Sequence, residues 1–164
     1  METKKYPEPQ IRVISERKLI GISMNMSLAD NRTGLLWAGF MPRRKEILNS
    51  VNSELYSLQI YPEDYFLNFN PAIEFEKRAA LEVTDFASVP NGMTTFNLQE
   101  GLYAVFNYKG LNTDHRIFEY IFSEWIPASG YQLDSRPHFE LLGNKYRNGD
   151  PESEEEIWVP VKMK

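Results

Sequence analysis

Apolar and polar positions change period several times along this chain, and each change predicts an element. In IRVISERKLIGISMNMS, Ile20, Ile22 and Met24 alternate with Gly21, Ser23 and Asn25, the period of two that marks a strand. DNRTGLLWAGF then opens with cap-type residues and sets Leu36, Trp37 and Phe40 on one helical face. Met41-Pro42 should interrupt that helix, because proline lacks the N–H and restrains the residue before it. RRKEILNSV continues it for a further turn or two. ELYSLQIYP reads as a strand stopped by Pro62. Residues 62–75, PEDYFLNFNPAIEF, are aromatic without a clean period, a long loop able to lie over something. KRAALEVTDF is a strand, and ASVPNGMTT carries Pro90 and the turn pair Asn91-Gly92.

The second half repeats this order. GLYAVFNYKG is a strand ended by Gly110. NTDHRIFEYIFSEW is a helix with Phe118, Ile121, Phe122 and Trp125 at i, i+3, i+4 and i+7, stopped by Pro127. HFELLGNKY and EEIWVPVKM are two further strands. Pro42 and Pro127, each closing a helix, lie 85 residues apart, and that offset lays Ile20-Gly21-Ile22 over Val105-Phe106-Asn107. The pattern predicts an α+β fold built from a duplicated β-α-β-β module, with pseudo-repeats at 17–88 and 101–163. Antiparallel sheets would carry helices on one side. Each unit exposes an apolar sheet face, so the junction of the two halves is the natural place for a ligand cleft. A single domain over 11–164 follows an irregular lead-in, 1–10, that holds Pro7 and Pro9.

Composition narrows the function. The 164 residues suffice for one core without staples, and there is no cysteine, which excludes disulfides and thiolate chemistry. No apolar run approaches the roughly 18–20 residues of a membrane span, and METKKYPEPQ lacks a signal-peptide core, so a cytoplasmic protein is expected. With net charge −5, PRRKE as the only basic knot and no helical segment to spare for base recognition, direct DNA binding is not expected. His115 and His138 fall on different elements without His-Glu-x-x-His spacing, and there is no phosphate loop and no Gly-x-Ser-x-Gly elbow, so neither metal nor cofactor is expected. Glu154-Glu155-Glu156 reads as a solvated turn before the last strand. The aromatic share, 13%, supplies core but can also line a pocket.

One carboxylate stands out. In HFELL, Phe139 and Leu141 share one strand face, and Glu140 and Leu142 share the other. Two readings stand: Glu140 lies on a wet face near Arg136, Lys145 or Arg147, or it is the charge of an apolar pocket. Trp37 and Trp125 on helices fit core or ligand wall. Trp158 is out of phase with Ile157 and Val159, and Tyr103 and Val105 alternate against Phe106 and Tyr108. The candidate ligand-binding set is Glu140, Trp37, Tyr65, Tyr108, Trp158 and Leu142. An aromatic wall can hold a cation by its π face, worth roughly 0.5–2 kcal/mol per contact.

VTDFASVPNGMTTFNLQEGLYAVFNYKG, EYIFSEWIPASGYQLDSRPHFELLG and SEEEIWVPV, taken in order, resemble the GyrI-like family, the effector-binding domain of many AraC-type and MerR-type bacterial regulators. The resemblance runs from about residue 10 to near the end of the chain. It implies the duplicated β-α-β-β fold and an aromatic-lined pocket for apolar, often cationic compounds, with a buried glutamate at Glu140 as counter-charge. Some stand-alone relatives hydrolyse cyclopropane-containing compounds, which would make Glu140 a general base or a polarising group beside a tyrosine acid. Others act on gyrase, so a protein partner, gyrase or a separate regulator, is the further alternative. No helix-turn-helix segment lies within these residues, in contrast to the regulators themselves.

Overall fold

The computed structural model describes residues 6–164, so the first five residues of the expected lead-in lie outside it. The opening alternation becomes two strands, β1 (Gln10–Ile14) and β2 (Arg17–Met26), joined by Ser15 and Glu16. α1 (Thr33–Phe40) buries Leu36 and Phe40. As the sequence predicts, the α-helix is interrupted at Met41-Pro42, and Pro42 does not bar a further turn. It sits in the first turn of a 3-10 helix, Met41–Glu46, where no intrahelical N–H is required. β3 (Ser50–Ile60) and β4 (Phe75–Val83) flank the aromatic loop. The predicted turn forms at Pro90–Met93: the Met93 N–H donates to the Pro90 carbonyl at 3.0 Å, and Gly92 takes φ +82°. It leads into β5 (Thr94–Leu98), a short strand the pattern did not announce.

In the second half, β6 (Gly101–Lys109) precedes α2 (Arg116–Tyr120), which runs on through a π turn, Ile121–Trp125, and a last turn, Ile126–Ala128. Pro127 therefore lies inside the final turn rather than beyond it. β7 (Tyr131–Leu133), β8 (His138–Leu142) and β9 (Glu154–Met163) complete the chain, and β7 too was not anticipated. The acidic triplet is corrected here. Glu154, Glu155 and Glu156 are the first residues of β9, paired with Lys109, Tyr108 and Asn107.

All these strands join one antiparallel sheet in the order β1-β6-β9-β8-β3-β4-β2-β5, with β7 added beside β9. The order mirrors itself about the β8–β3 pair. Leaving β7 aside, each half reads outward as its second, third and first strand, and the ends are closed by β5 and β1. The 85-residue offset fails in detail, because it superimposes residues of opposite phase. Ile20 pairs with Leu81, and through Leu55 shares a face with Leu142, whereas Val105 pairs with Trp158 on the other face. For β2 and β6, residues of the same face lie an even number of positions apart.

β1 and β5 end the sheet order on opposite sides, yet two residues tie β1 to β2, the neighbour of β5. The sheet therefore curls. Ile14 of β1 and Leu98 of β5 share one core with Tyr56, Leu58, Phe139 and Trp158 of the middle strands. The curl is tight at β2, where a Cβ on Gly21 would lie 1.9 Å from the Ala79 carbonyl oxygen. On the outer face each helix covers its own patch. α1 packs Leu36 and Phe40 on Ile20, Ala79 and Leu81, while α2 packs Ile117 and Ile121 on Phe106, Ile157 and Val159. Between the patches runs the middle of the sheet, covered by neither helix.

Candidate functional site

The uncovered middle belongs to β3 and β8, which pair Ser57 with Glu140 and Gln59 with His138. Alternation decides what stands there. Tyr56, Leu58, Phe139 and Leu141 turn into the curl, so Ser57, Gln59, His138 and Glu140 must face outward between the two helices. Ser57, Gln59 and His138 are nonetheless buried, and Glu140 is half-buried, because aromatic rings close over them. Phe66 reaches in from the 62–74 loop. Its ring stacks on His138 at 5.4 Å and 25°, meets Tyr61 edge-on at 5.0 Å and touches Phe122 of the opposite half at 5.0 Å. Tyr61 also meets His138 edge-on at 5.0 Å. The loop predicted to lie over something lies over this groove.

Under the rings a chamber of about 20 Å³ is lined by Gln59, Tyr61, Phe118, Phe122, His138 and Glu140. That is room for about one water. An open recess of about 440 Å³ lies at the other end of the central strands, against Glu54, Tyr108, Gly143, Lys145 and Glu155. Its size falls within the range of small-molecule sites, roughly 300–1,000 Å³.

The electrostatics single out two carboxyls. Glu155 is in phase with Ile157, the pairing partner of Glu140, which puts it diagonally across from Glu140, roughly 7–8 Å away by strand geometry. Burial raises the Glu140 carboxyl above the ordinary carboxylate range, against the opposing pull of Lys77 and His115. Glu155 is pushed up to about 8, first by burial and then by the charge of Glu140, with Lys77 pulling the other way. Tyr61 and Tyr146 are both raised, chiefly by burial, with Glu140 adding to each. His138 is lowered to about 3 by burial and by Arg136, so it stays neutral near pH 7. Among the described residues neither carboxyl has a hydrogen-bond partner or an ion pair within 4 Å. Nor does any group of three or more metal-ligating side chains come together among those residues.

The six sequence candidates separate. Glu140 stands in the groove, and Leu142 shares its face, buried opposite Leu55. Tyr65 is buried one ring further out, 4.5 Å from Tyr61. Tyr108 lines the larger recess with its hydroxyl donating to the Leu111 carbonyl at 2.8 Å. Trp37 is half-buried on α1, edge-on to Phe40 at 5.9 Å within the core of the first half. Trp158 borders the chamber, but its side chain turns to the inner face. There it stacks on Phe139 at 5.1 Å, under Arg12 and Arg17 at 5.4 and 5.3 Å. Tyr61, His138, Phe118, Phe122, Glu155 and Lys77 were not picked out from sequence. For Glu155 a signal existed in its phase with Ile157, hidden inside a run of three acids.

A curled antiparallel sheet, two helix-covered halves and a polar groove roofed by aromatics give the chain the form of a small-molecule binding domain. The GyrI-like small molecule binding domain matches residues 7–162, and the chain belongs to this family. It is 28% identical over 145 residues to the transcriptional regulator BrlR of Pseudomonas aeruginosa; the match takes in 87% of this chain and 51% of BrlR, about half the regulator's length. Among solved structures it resembles the C-terminal domain of EcmrR (TM-score 0.73, 13% identity, 98% of this chain and 100% of that one). It also resembles SAV2435 bound to tetraphenylphosphonium (TM-score 0.67, 22% identity, 95% and 94% covered). A third likeness is to a hydrolase from Listeria innocua (TM-score 0.62, 12% identity, 94% and 92% covered). At these identities the solved structures establish the fold.

Proposed function

We propose that the chain binds a small, largely apolar organic cation in the groove, with Glu140 as counter-charge and Tyr61, Phe66, Phe118 and Phe122 as the wall. The observation that carries this reading is Glu140 itself. It is a carboxyl turned into an aromatic-roofed groove where nothing among the described residues pairs with it. A charge so placed is costly unless protonated or matched, and a cation with an apolar skin matches both the charge and the wall. The tetraphenylphosphonium held by SAV2435 is such a compound. Because the chamber holds about one water, binding displaces Phe66 and joins the chamber to the recess beside Glu155. Equilibrium binding tests the reading. Tetraphenylphosphonium should bind more tightly than neutral triphenylphosphine oxide, by about tenfold or more at low salt. Equal affinities would remove the role of charge.

Given the likeness to BrlR, the bound state would be read by a transcription apparatus, through a separate regulator or another protein partner. These residues would make no duplex contact of their own, since the chain carries net charge −5.

A second reading rests on the one-water chamber beside Glu140, with Glu155 diagonally across from it and both carboxyls raised by burial. Glu140 would take a proton from water as its oxygen bonds to a strained ring carbon, and protonated Glu155 would supply the carbon released when the ring bond breaks. The likeness to a hydrolase of Listeria innocua agrees with it. Steady turnover of a cyclopropane-containing electrophile, lost in Glu140→Gln, would favour hydrolysis over sensing.

A further inference from the structure

The groove also holds a cation of its own. Lys77, on β4, pairs with Gln59 of β3, which pairs with His138 of β8, so its side chain leaves the sheet on the same face as Glu140. The two residues are separated by about 10 Å of sheet, two strand spacings, plus two residues along the strand. The Lys77 ammonium donates to the Thr33 hydroxyl at 3.1 Å, which tethers it to the first residue of α1. Among the described residues it makes no ion pair within 4 Å. The ammonium is thus held at the start of α1, on the outer face that carries Glu140 and in the opposite half, out of contact with either carboxyl. Of the opposing charges acting on Glu140, it is the largest, ahead of His115; on Glu155 it is the one that opposes burial and Glu140.

We propose that Lys77 is the resident counter-cation of the groove and sets its charge selectivity, favouring monovalent over divalent cations. The inference rests on the cation-binding reading above. When a bound cation draws both raised carboxyls into their ionised form, the groove carries two negative charges and one positive, so one monovalent ligand cation completes the balance. A second positive charge on the ligand would face the ammonium across a chamber shielded from water, where like charges repel strongly. Tyr61 and His138 line the same chamber as neutral groups. The ligand class narrows to bulky apolar monocations, and linear or aromatic dications are disfavoured.

The test is calorimetry with tetraphenylphosphonium and a bis-phosphonium dication on wild type, Lys77→Met and Lys77→Arg. Removing the charge should tighten the monocation and tighten the dication further, so the dication-to-monocation affinity ratio rises by about tenfold. Lys77→Arg, which keeps the charge, should hold the wild-type ratio and so separates charge from packing. An unchanged ratio in Lys77→Met, or equal losses for both ligands, would overturn the role of Lys77. A wild-type protein that binds neither cation would instead sink the cation-binding reading on which it rests.

Discussion

His138 and Glu155 titrate in opposite senses, and together they fix how stability follows pH. The folded chain holds His138 neutral down to about 3, while the unfolded chain protonates it near the ordinary 6.5, so stability is lost as pH falls through that window. Glu155 keeps its proton in the fold up to about 8, but the unfolded chain releases it near 4.5, so stability is lost as pH rises between those values. Glu140, raised for the same reason, adds to the second slope. The two effects oppose each other between about 4.5 and 6.5, and above that only the carboxyl slope remains. Thermal melts should therefore decline from about pH 6.5 to 8 in wild type and flatten in Glu155→Gln. His138→Phe, which keeps a ring against Phe66 and Tyr61, should resist acid better than wild type. Parallel profiles for all three proteins would show that neither group is shifted as described.

At the scale of elements, the two devices that shape the site are a bent strand and an aromatic loop. Gly21 allows β2 to approach β4 where the sheet curls, and any Cβ there would meet backbone, which cannot step aside. Gly21→Val should destabilise the fold by about 1–3 kcal/mol or more, measured by denaturant titration, whereas a loss near zero would mean the curl is not constrained there. Phe66 roofs the groove while remaining 36% exposed. Phe66→Ala should speed association of tetraphenylphosphonium in stopped-flow measurements by removing the ring that must leave first. Slower association would instead make Phe66 part of the capture surface. The main elements could be read from the chain because their periods are clean: the alternation of β2 and the i, i+3, i+4, i+7 apolar stripe of α2. β5 and β7 could not, being only five and three residues long and held by pairing with β2 and β9. Pro42 marked the end of its α-helix correctly, whereas Pro127 misled as a stop signal, since proline suits the first turn of a helical segment as well as the residue after one.

For the whole molecule, the site arises from the mirrored strand order. Each half covers its own sheet patch with a helix, and the two second strands, β3 and β8, are left to form the floor of the groove. Glu140 could be placed from sequence because alternation gave its phase and the family resemblance gave its face. Trp158 shows the limit: its phase was readable, but which face curls inward depends on the tie between β1 and β2 across the sheet. Lys77 and Tyr61 could not be assigned to the same groove before the register of four strands was known. The central claim is that Glu140 is the charge of an apolar groove, and titration calorimetry of wild type and Glu140→Gln tests it most directly. Glutamine keeps the shape and an acceptor oxygen but removes the charge. Tetraphenylphosphonium should lose about 30-fold or more in affinity while triphenylphosphine oxide changes little, since a shielded pair lost at one partner costs about 2–5 kcal/mol and an exposed one about 0–1. Equal losses for both compounds, or none for either, would contradict the account and return Glu140 to the role of a surface carboxylate.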